Sequence, residues 1–397
     1  MEHAEIEALV LTTDPGRALL VEVARVARPG PSDVGRWRRS APPEWVAAAI
    51  RLAEGRRKGA GKFDRAGRMW FDPVGVEQAT AEVVARHKAH RFAGCGAGGP
   101  AVDLCSGIGG DSIALAASGP VIAVDLDAGM GRRARWNAGV YDVGDRVMAV
   151  QGRAEGFPIP AGALVHVDPD RRASGIGRAR SVRDYAPGVG ALRDLIGSAR
   201  GGAIKLGPSS DFEAHFGGPG IEVELISLDG ECKEATAWFG DLAGTGARRR
   251  ATCLPSGATW SDLDAPGTPG FPAGSPDAWA FDPDPALARS GLIDGFAAAH
   301  GLRRIGPGVD LLTGPDRVDS PFLAAFEVVE IFPLDLKVLR REVVARGLGP
   351  LEIKTRGLEM TPEAFRARLR PGGPNPATWL LVAGRGGPGR AILARRA

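Results

Sequence analysis

The stretch Pro100–Ala117, PAVDLCSGIGGDSIALAA, decides the fold. Ala101–Cys105 reads as a short buried strand, Ser106–Gly110 as a glycine turn, and Asp111–Ala117 as a helix. Gly107 and Gly109 have no Cβ, so the backbone can turn sharply and lie directly against a ligand. The helix start leaves unpaired N–H groups and a partial positive charge, which suit an anionic group. The expected ligand is a nucleotide of some kind. A dinucleotide fingerprint requires G-x-G-x-x-G, and Ser112 occupies the third glycine position, so that pattern fails. The pattern that fits is D-x-x-x-G-x-G, with Asp103, Gly107 and Gly109. A second strand, Val121–Asp125, ends in an acid twenty-two residues after Asp103. A carboxylate at that strand end can accept hydrogen bonds from two ribose hydroxyls.

Outward from this stretch, the chain alternates strand and helix. Candidate strands are Ala101–Cys105, Val121–Asp125, Val147–Gln151, Leu164–Asp168, Ala203–Leu206, Val223–Leu228 and Ala235–Phe239. Helix-sized segments between the first five imply a parallel sheet with helices on both faces. Only Asp229–Glu234 joins the last two, which forces an antiparallel pair. The expected fold is α/β, a doubly wound, mostly parallel seven-stranded sheet.

Residues 1–98 read as a helical N-terminal region, with helices starting at Asp14-Pro15 and Pro42-Pro43. Arg51–Arg68 carries seven positive residues against Glu54 and Asp64. That is either a phosphate-binding patch or a solvated helix end and loop. Residues 99–260 form the nucleotide-binding domain. Residues 261–335 read as a proline-rich linker and a small acidic element, with twelve acids against four arginines. Residues 336–397 form a small α+β C-terminal domain, in which Lys337–Ala397 holds thirteen lysines and arginines against four glutamates.

At 397 residues the chain has room for two or three domains. Its 57 glycines and 31 prolines, beside so much alanine and arginine, are expected to reflect genome composition, and hydrophobic content of 44% is ordinary for a globular protein. A net charge of +3 carries no global argument for nucleic acid. Cys95, Cys105, Cys232 and Cys253 form no C-x-x-C pair and have no histidine at metal spacing, so no metal site is expected. Scattered single cysteines fit a reducing cytosol. MEHAEIEALV lacks the basic flank and apolar core of a signal peptide, so none is expected. No apolar run is long enough for a transmembrane helix, and the expected location is cytoplasmic with no membrane partner. Oligomeric state is not legible.

The glycine turn and the second acidic strand resemble the class I S-adenosylmethionine-dependent methyltransferases. That resemblance implies S-adenosyl-L-methionine as cofactor. Asp103, Gly107 and Gly109 would cradle its methionyl end and Asp125 its ribose, with Cys105, Leu126 and Ala154 completing the binding set. Glu155 in GRAEG stands where such enzymes place an acid beside the adenine, and the Arg153 backbone is the alternative. The parallel sheet finished by one antiparallel hairpin agrees with the resemblance. In Phe71–Phe92 the helix VEQATAEV is similar to one in bacterial methyltransferases with a C-terminal THUMP-like domain. It implies that Gln78 or Thr80 lies near the methionyl group. LEIKTRGLEMTPEAFRARLRPGG near the C-terminus resembles the THUMP-like domain itself, whose relatives are thought to engage structured RNA.

Open α/β sheets bind ligands beyond the carboxyl ends of their strands, so the substrate loop should follow the fourth strand. It reads Asp168-Pro169-Asp170-Arg171-Arg172. Methyltransferases acting on exocyclic or ring nitrogens carry Asp/Asn-Pro-Pro-aromatic there. This chain keeps Asp168 and Pro169 and departs at Asp170 and Arg171. Around the turn and Asp125 it also resembles the trimethylguanosine cap synthases, whose stacking tryptophan has no counterpart in Asp168–Arg172. Asp168, Pro169 and Arg171 are the candidate catalytic residues. Arg171 or Arg172 could stack on a base, bind phosphate, or pair with Asp170. His166 reads as a packed core histidine. Lys205 reads as either facing the site or solvated. The resulting expectation is a methyltransferase acting on RNA. The alternatives are a methyltransferase of a protein or small molecule, and an inactive RNA-binding relative.

Overall fold

The computed structural model describes residues 3–96, 98–171, 181–244, 246–265, 273–383 and 389–397. Arg172, one of the candidate substrate contacts, lies outside the described residues. The chain divides into two compact units, Met1–Glu222 with Thr236–Gly246, and Val223–Ala235 with Ala247–Ala397.

The first unit is the α/β layer with its helical N-terminal region. Helices His3–Thr12, Asp14–Ala24, Pro31–Trp37 and Pro43–Gly59 pack around Trp37, Leu52 and Trp70. Proline and an acid set the start of the second helix as expected, but its cap is Thr13, one residue earlier. The Thr13 hydroxyl accepts from the Gly16 N–H at 3.2 Å. Glu7 fastens these helices to the rest of the unit. It is buried and accepts from Trp70 Nε1 at 2.9 Å and from Arg133 at 2.7 Å. Helices Pro73–Gln78 and Glu82–Gly94 follow.

The strands are β1 (Ala101–Leu104), β2 (Val121–Asp125), β3 (Val147–Gln151), β4 (Leu164–Val167), β5 (Gly201–Leu206), β6 (Ile221–Leu228) and β7 (Glu231–Gly240). Their order is β3-β2-β1-β4-β5-β7-β6, and β1 to β5 pair in parallel. β4 and β5 are buried along their whole length, the pattern of strands covered on both faces. Asp229 and Gly230 both have positive φ (53° and 75°), which makes the link from β6 to β7 a two-residue hairpin turn. One detail departs from the sequence reading. The Gly152–Ala163 link between β3 and β4 holds no helix, because Pro158, Pro160, Gly156 and Gly162 punctuate it.

β8 (Arg249–Leu254) lies parallel to β6 and antiparallel to β9 (Ala258–Ser261), so the sheet expected to hold seven strands holds nine among the described residues. A separate seven-stranded sheet holds β10 (Trp279–Pro283), β11 (Arg303–Arg304), β12 (Leu312–Gly314), β13 (Leu323–Pro333), β14 (Leu348–Arg356), β15 (Asn375–Val382) and β16 (Arg390–Arg396). Its order is β11-β12-β10-β13-β16-β15-β14. Thus the segment read as linker and acidic element supplies β10 to β13 of the sheet that β14 to β16 complete. Helices Leu336–Ala345 and Pro362–Leu369 cover a core of Trp379, Phe332 and Phe365. All four cysteines are free thiols, and among the described residues no helix is long and apolar enough to cross a membrane.

Candidate functional site

The end of β1 bends three times in five residues. Cys105 (φ 59°), Gly107 (52°) and Gly109 (86°) all take left-handed backbone. The turn then enters helix Gly110–Ala116 beside a cavity of about 380 Å³. That volume lies in the range of small-molecule sites, roughly 300–1,000 Å³. A Cβ built on Gly107 meets no atom of the described residues within 4 Å, so these leave open space where a side chain would be. Gly109 plays another part. A Cβ there would sit 2.9 Å from Ala134 Cα, so this glycine lets helix Ala128–Val140 pack behind the turn. Gly107 lines the cavity, whereas Gly109 stands behind it.

Asp125, at the end of β2, shapes the turn from the other side. One carboxylate oxygen accepts from the Gly107 N–H at 2.8 Å and the other from the Asp127 N–H at 2.9 Å. Each oxygen retains a second lone pair for a ligand hydroxyl. Burial raises the Asp125 carboxyl above its ordinary range, against the two N–H groups that favour its charge. Leu126, Asp127, Met130 and Gly152 to Glu155 extend this end of the cavity, including Ala154. Leu126 is 64% exposed and offers apolar surface there. Arg153 and Glu155 both line it and pair at 3.6 Å. Cys105 also lines it, and burial drives its thiol pKa up, so it stays protonated.

The opposite wall comes from Gly75, Glu77–Thr80 and the substrate loop. Helix Pro73–Gln78 is capped at its start by the Asp72 carboxylate, which accepts from the Val74 and Gly75 N–H groups. At its end Lys62 Nζ donates to the carbonyls of Val76, Glu77 and Ala79 at 2.8–2.9 Å. This corrects the phosphate-patch reading of Arg51–Arg68. Arg51 bonds Glu7, Arg56 the Met69 carbonyl, and Arg65 Asp142, so most of these cations hold the unit together.

Asp168, Pro169, Asp170 and Arg171 follow β4 and line the cavity. Asp170 forms an antiparallel bridge with Ala186, and its carboxylate accepts from Gln78 Nε2 at 3.4 Å. Arg171 makes no ion pair among the described residues, so pairing with Asp170 is not its role there. Asp168 is bound to Lys205 Nζ at 2.6 Å. Lys205 is 4% exposed, which decides its two readings in favour of the site.

From Lys205 a buried polar chain runs back to the turn. Lys205 donates to Thr80 Oγ1 at 2.8 Å, and Thr80 Oγ1 donates to Asp111 Oδ2 at 2.7 Å. Asp111 pairs with Lys88 at 2.8 Å. Burial alone would raise the Asp111 carboxyl, but the positive charges beside it, that of Lys88 first, outweigh burial and hold it below the ordinary range. Lys88 Nζ lies 3.2 Å from His166 Nε2, and His166 Nδ1 lies 2.7 Å from Asp103 Oδ1. An ammonium has only protons to offer, so Nε2 accepts and Nδ1 donates to Asp103. Ser112 Oγ donates to the second Asp103 oxygen. Asp103 therefore meets the cavity as the end of a buried network. Sequence reasoning missed Lys88 and Asp111. A lysine inside the helix HKAHRF and an acid at a turn carry no distinctive spacing.

The residues fit S-adenosylmethionine on independent grounds. Ser106 Oγ is buried at the cavity with no partner among the described residues, an orphan that a bound polar group would satisfy. Gly107 leaves space, and Asp125 offers lone pairs to ribose hydroxyls. Among the described residues no group of side chains could hold a metal ion.

Comparison with known proteins agrees with this geometry. Residues 99–168 match the family model of the RNA cap guanine-N2 methyltransferases, and residues 323–396 match a THUMP domain-like model. Two relatives from strains of Mycobacterium tuberculosis, each described as an uncharacterized S-adenosylmethionine-dependent methyltransferase, are 36% identical over 338 residues. The match covers 82% of this chain and 90% of theirs. A solved structure assigned to the methyltransferases, from Porphyromonas gingivalis W83, shares the fold with a TM-score of 0.75 at 20% identity. It covers 96% of this chain and 98% of that one.

Proposed function

The chain belongs to the S-adenosylmethionine-dependent methyltransferases, and from that premise we propose that its substrate is RNA. The observation that carries this reading is that Asp168 and Arg171, which makes no ion pair among the described residues, line the same cavity. A carboxylate can orient an N–H or O–H nucleophile, and a guanidinium with no ion pair can hold a phosphate or stack on a base. The family descriptions matched by residues 99–168 and 323–396 point the same way.

The bound cofactor supplies an electrophilic methyl group on a sulfonium. The chain's residues supply position. Gly107, Ser106 and Asp125 hold the cofactor, Asp168 accepts a hydrogen bond from the nucleophile, and Gln78 to Thr80 exclude water from that side. Methyl transfer needs little acid–base work, so alignment provides most of the rate.

Asp125 gives a test of the cofactor end. Asp125→Ala loses the ribose contact and the brace on the Gly107 N–H, and should weaken binding by about 1–3 kcal/mol. Because only the carboxylate accepts both hydroxyls, affinity in the wild type should be full at neutral pH. It should fall as pH drops through a midpoint above the ordinary 3.8, by about tenfold per unit below it. Calorimetry across pH checks this, and equal pH dependence in Asp125→Ala would contradict it.

The RNA reading has its own test. In the second unit many cations are already paired: Arg346 with Glu330, Lys354 and Arg356 with Asp282, and Arg396 with Glu352. Asp294 and Asp310 pair with Arg304 instead of the tail. Among the described residues, exposed Lys337, Arg368 and Arg370 carry no ion pair, and they stand on or just after two neighbouring helices. Reversing all three to glutamate should weaken RNA binding and flatten its log–log salt slope by about 2 units, at roughly 0.7 per phosphate. Cofactor affinity should not change. Methyl transfer to total cellular RNA, read by mass spectrometry of its nucleosides, decides the function. Transfer to a protein or small-molecule fraction with none to RNA would overturn it.

A further inference from the structure

Lys205 is the one charged side chain of β5, a strand buried along its whole length. A charge in such a place must be compensated. Its ammonium has three protons and three acceptors: Asp168 Oδ2 at 2.6 Å, Thr80 Oγ1 at 2.8 Å and the Gln78 carbonyl at 3.4 Å. These acceptors belong to two segments far apart in sequence, and both segments line the cavity. Thr80 in turn bonds Asp111, whose side chain belongs to the helix that opens at the cofactor turn. The second Asp168 oxygen has no partner among the described residues.

We propose that Lys205 is a positioning residue. Its ammonium clamps Asp168 to the Gln78–Thr80 segment and leaves one carboxylate oxygen free toward the cavity. The role rests on the reading of Asp168 as the group that receives the nucleophile. Asp168 starts a loop, and its side chain has rotatable bonds that β4 does not restrain. Lys205 fixes them through a contact that is itself fixed by Thr80. Misplacing a reacting group by about 1 Å can cost on the order of 100-fold in rate.

The test is a double-mutant cycle on turnover with cellular RNA, using Lys205→Met, Asp168→Asn and both together. Lys205→Met should lower kcat about 10–100-fold and leave cofactor affinity, measured by calorimetry, unchanged. If Lys205 acts through Asp168, the double variant should be no slower than Asp168→Asn alone. Multiplying losses would make Lys205 a merely structural residue and overturn the proposal, as would full turnover in Lys205→Met. Lys205→Met strands the Asp168 charge and is the variant at risk of misfolding. The double variant lacks both charges, and its thermal midpoint shows whether the fold survives. If the wild type transfers nothing to RNA, the RNA reading falls by itself. The clamp is then decided by crystal structures of wild type and Lys205→Met with S-adenosylhomocysteine. An Asp168 carboxylate that leaves its place in the variant supports the clamp, and one that stays overturns it.

Discussion

Gly107→Val should abolish cofactor binding while the protein still folds. Gly107 has φ 52°, where a branched side chain is strained by about 1–3 kcal/mol. Among the described residues no atom lies within 4 Å of an added Cβ, so none of them opposes the substitution. The side chain therefore fills cavity space that the ligand needs. Binding should drop below detection in calorimetry. Saturating S-adenosylhomocysteine should stabilise the wild type, by about 2.7 kcal/mol at a hundredfold excess over Kd, and leave the variant's melting temperature where it was. Gly109→Ala is the control with the opposite signature. Its Cβ would press on Ala134 Cα at 2.9 Å, so the loss falls on stability, by about 1–3 kcal/mol. A Gly107→Val protein that binds the cofactor normally would remove the turn from the site.

That contrast shows what could be read from sequence. The cofactor turn is local: strand, glycines, helix and acid lie within one stretch, and backbone conformation follows from residue type. Both glycines stood out for the same reason, yet only three-dimensional packing separates the one that leaves room for a ligand from the one that admits a neighbouring helix. The polar chain from Asp103 to Asp168 was hidden because its members meet only after the sheet has formed. Lys205 carried a usable signal, a lone charge in the apolar run GGAIKL, since a strand covered on both faces cannot leave an ammonium unpaired. Lys62 misled in the other direction. It sits in a run of positive charge, but its protons are spent on three carbonyls of the helix end that positions Gln78 and Thr80. Charge density along a sequence does not say whether the charges face outward. The C-terminal domain was legible as α+β, and its helix Leu336–Ala345 and strand Leu348–Arg356 are of that kind; the cap of the helix, Asp335, which bonds the Lys337 and Val338 N–H groups, was not. β13 was missed because its eleven residues, LAAFEVVEIFP, alternate poorly and follow a proline-rich stretch.

The other large effect belongs to Asp168, and the choice of substitution decides what is learned. Asp168→Ala removes the partner of a buried ammonium. Breaking a buried ion pair costs about 3–5 kcal/mol when no other acceptor remains. Here Thr80 Oγ1 and the Gln78 carbonyl still accept from Lys205, so the loss should lie at the lower end. A fall in turnover in that variant would mix instability with lost chemistry. Asp168→Asn keeps an oxygen for Lys205 and the shape of the side chain, but turns the charged acceptor at the cavity into an amide. It should melt close to the wild type and bind S-adenosylmethionine equally well, since Asp125 and the turn are untouched. Turnover should nevertheless fall about 100-fold or more, the scale of losing one preorganised electrostatic contact to the reacting group. The measurement is single-turnover methyl transfer at saturating cofactor, beside calorimetry on the same preparation. Normal turnover in Asp168→Asn would show that the nucleophile is oriented elsewhere on the cavity wall, and Arg171 would then be the residue to test. A fall in cofactor affinity that matched the fall in turnover would place Asp168 with the cofactor instead of the substrate.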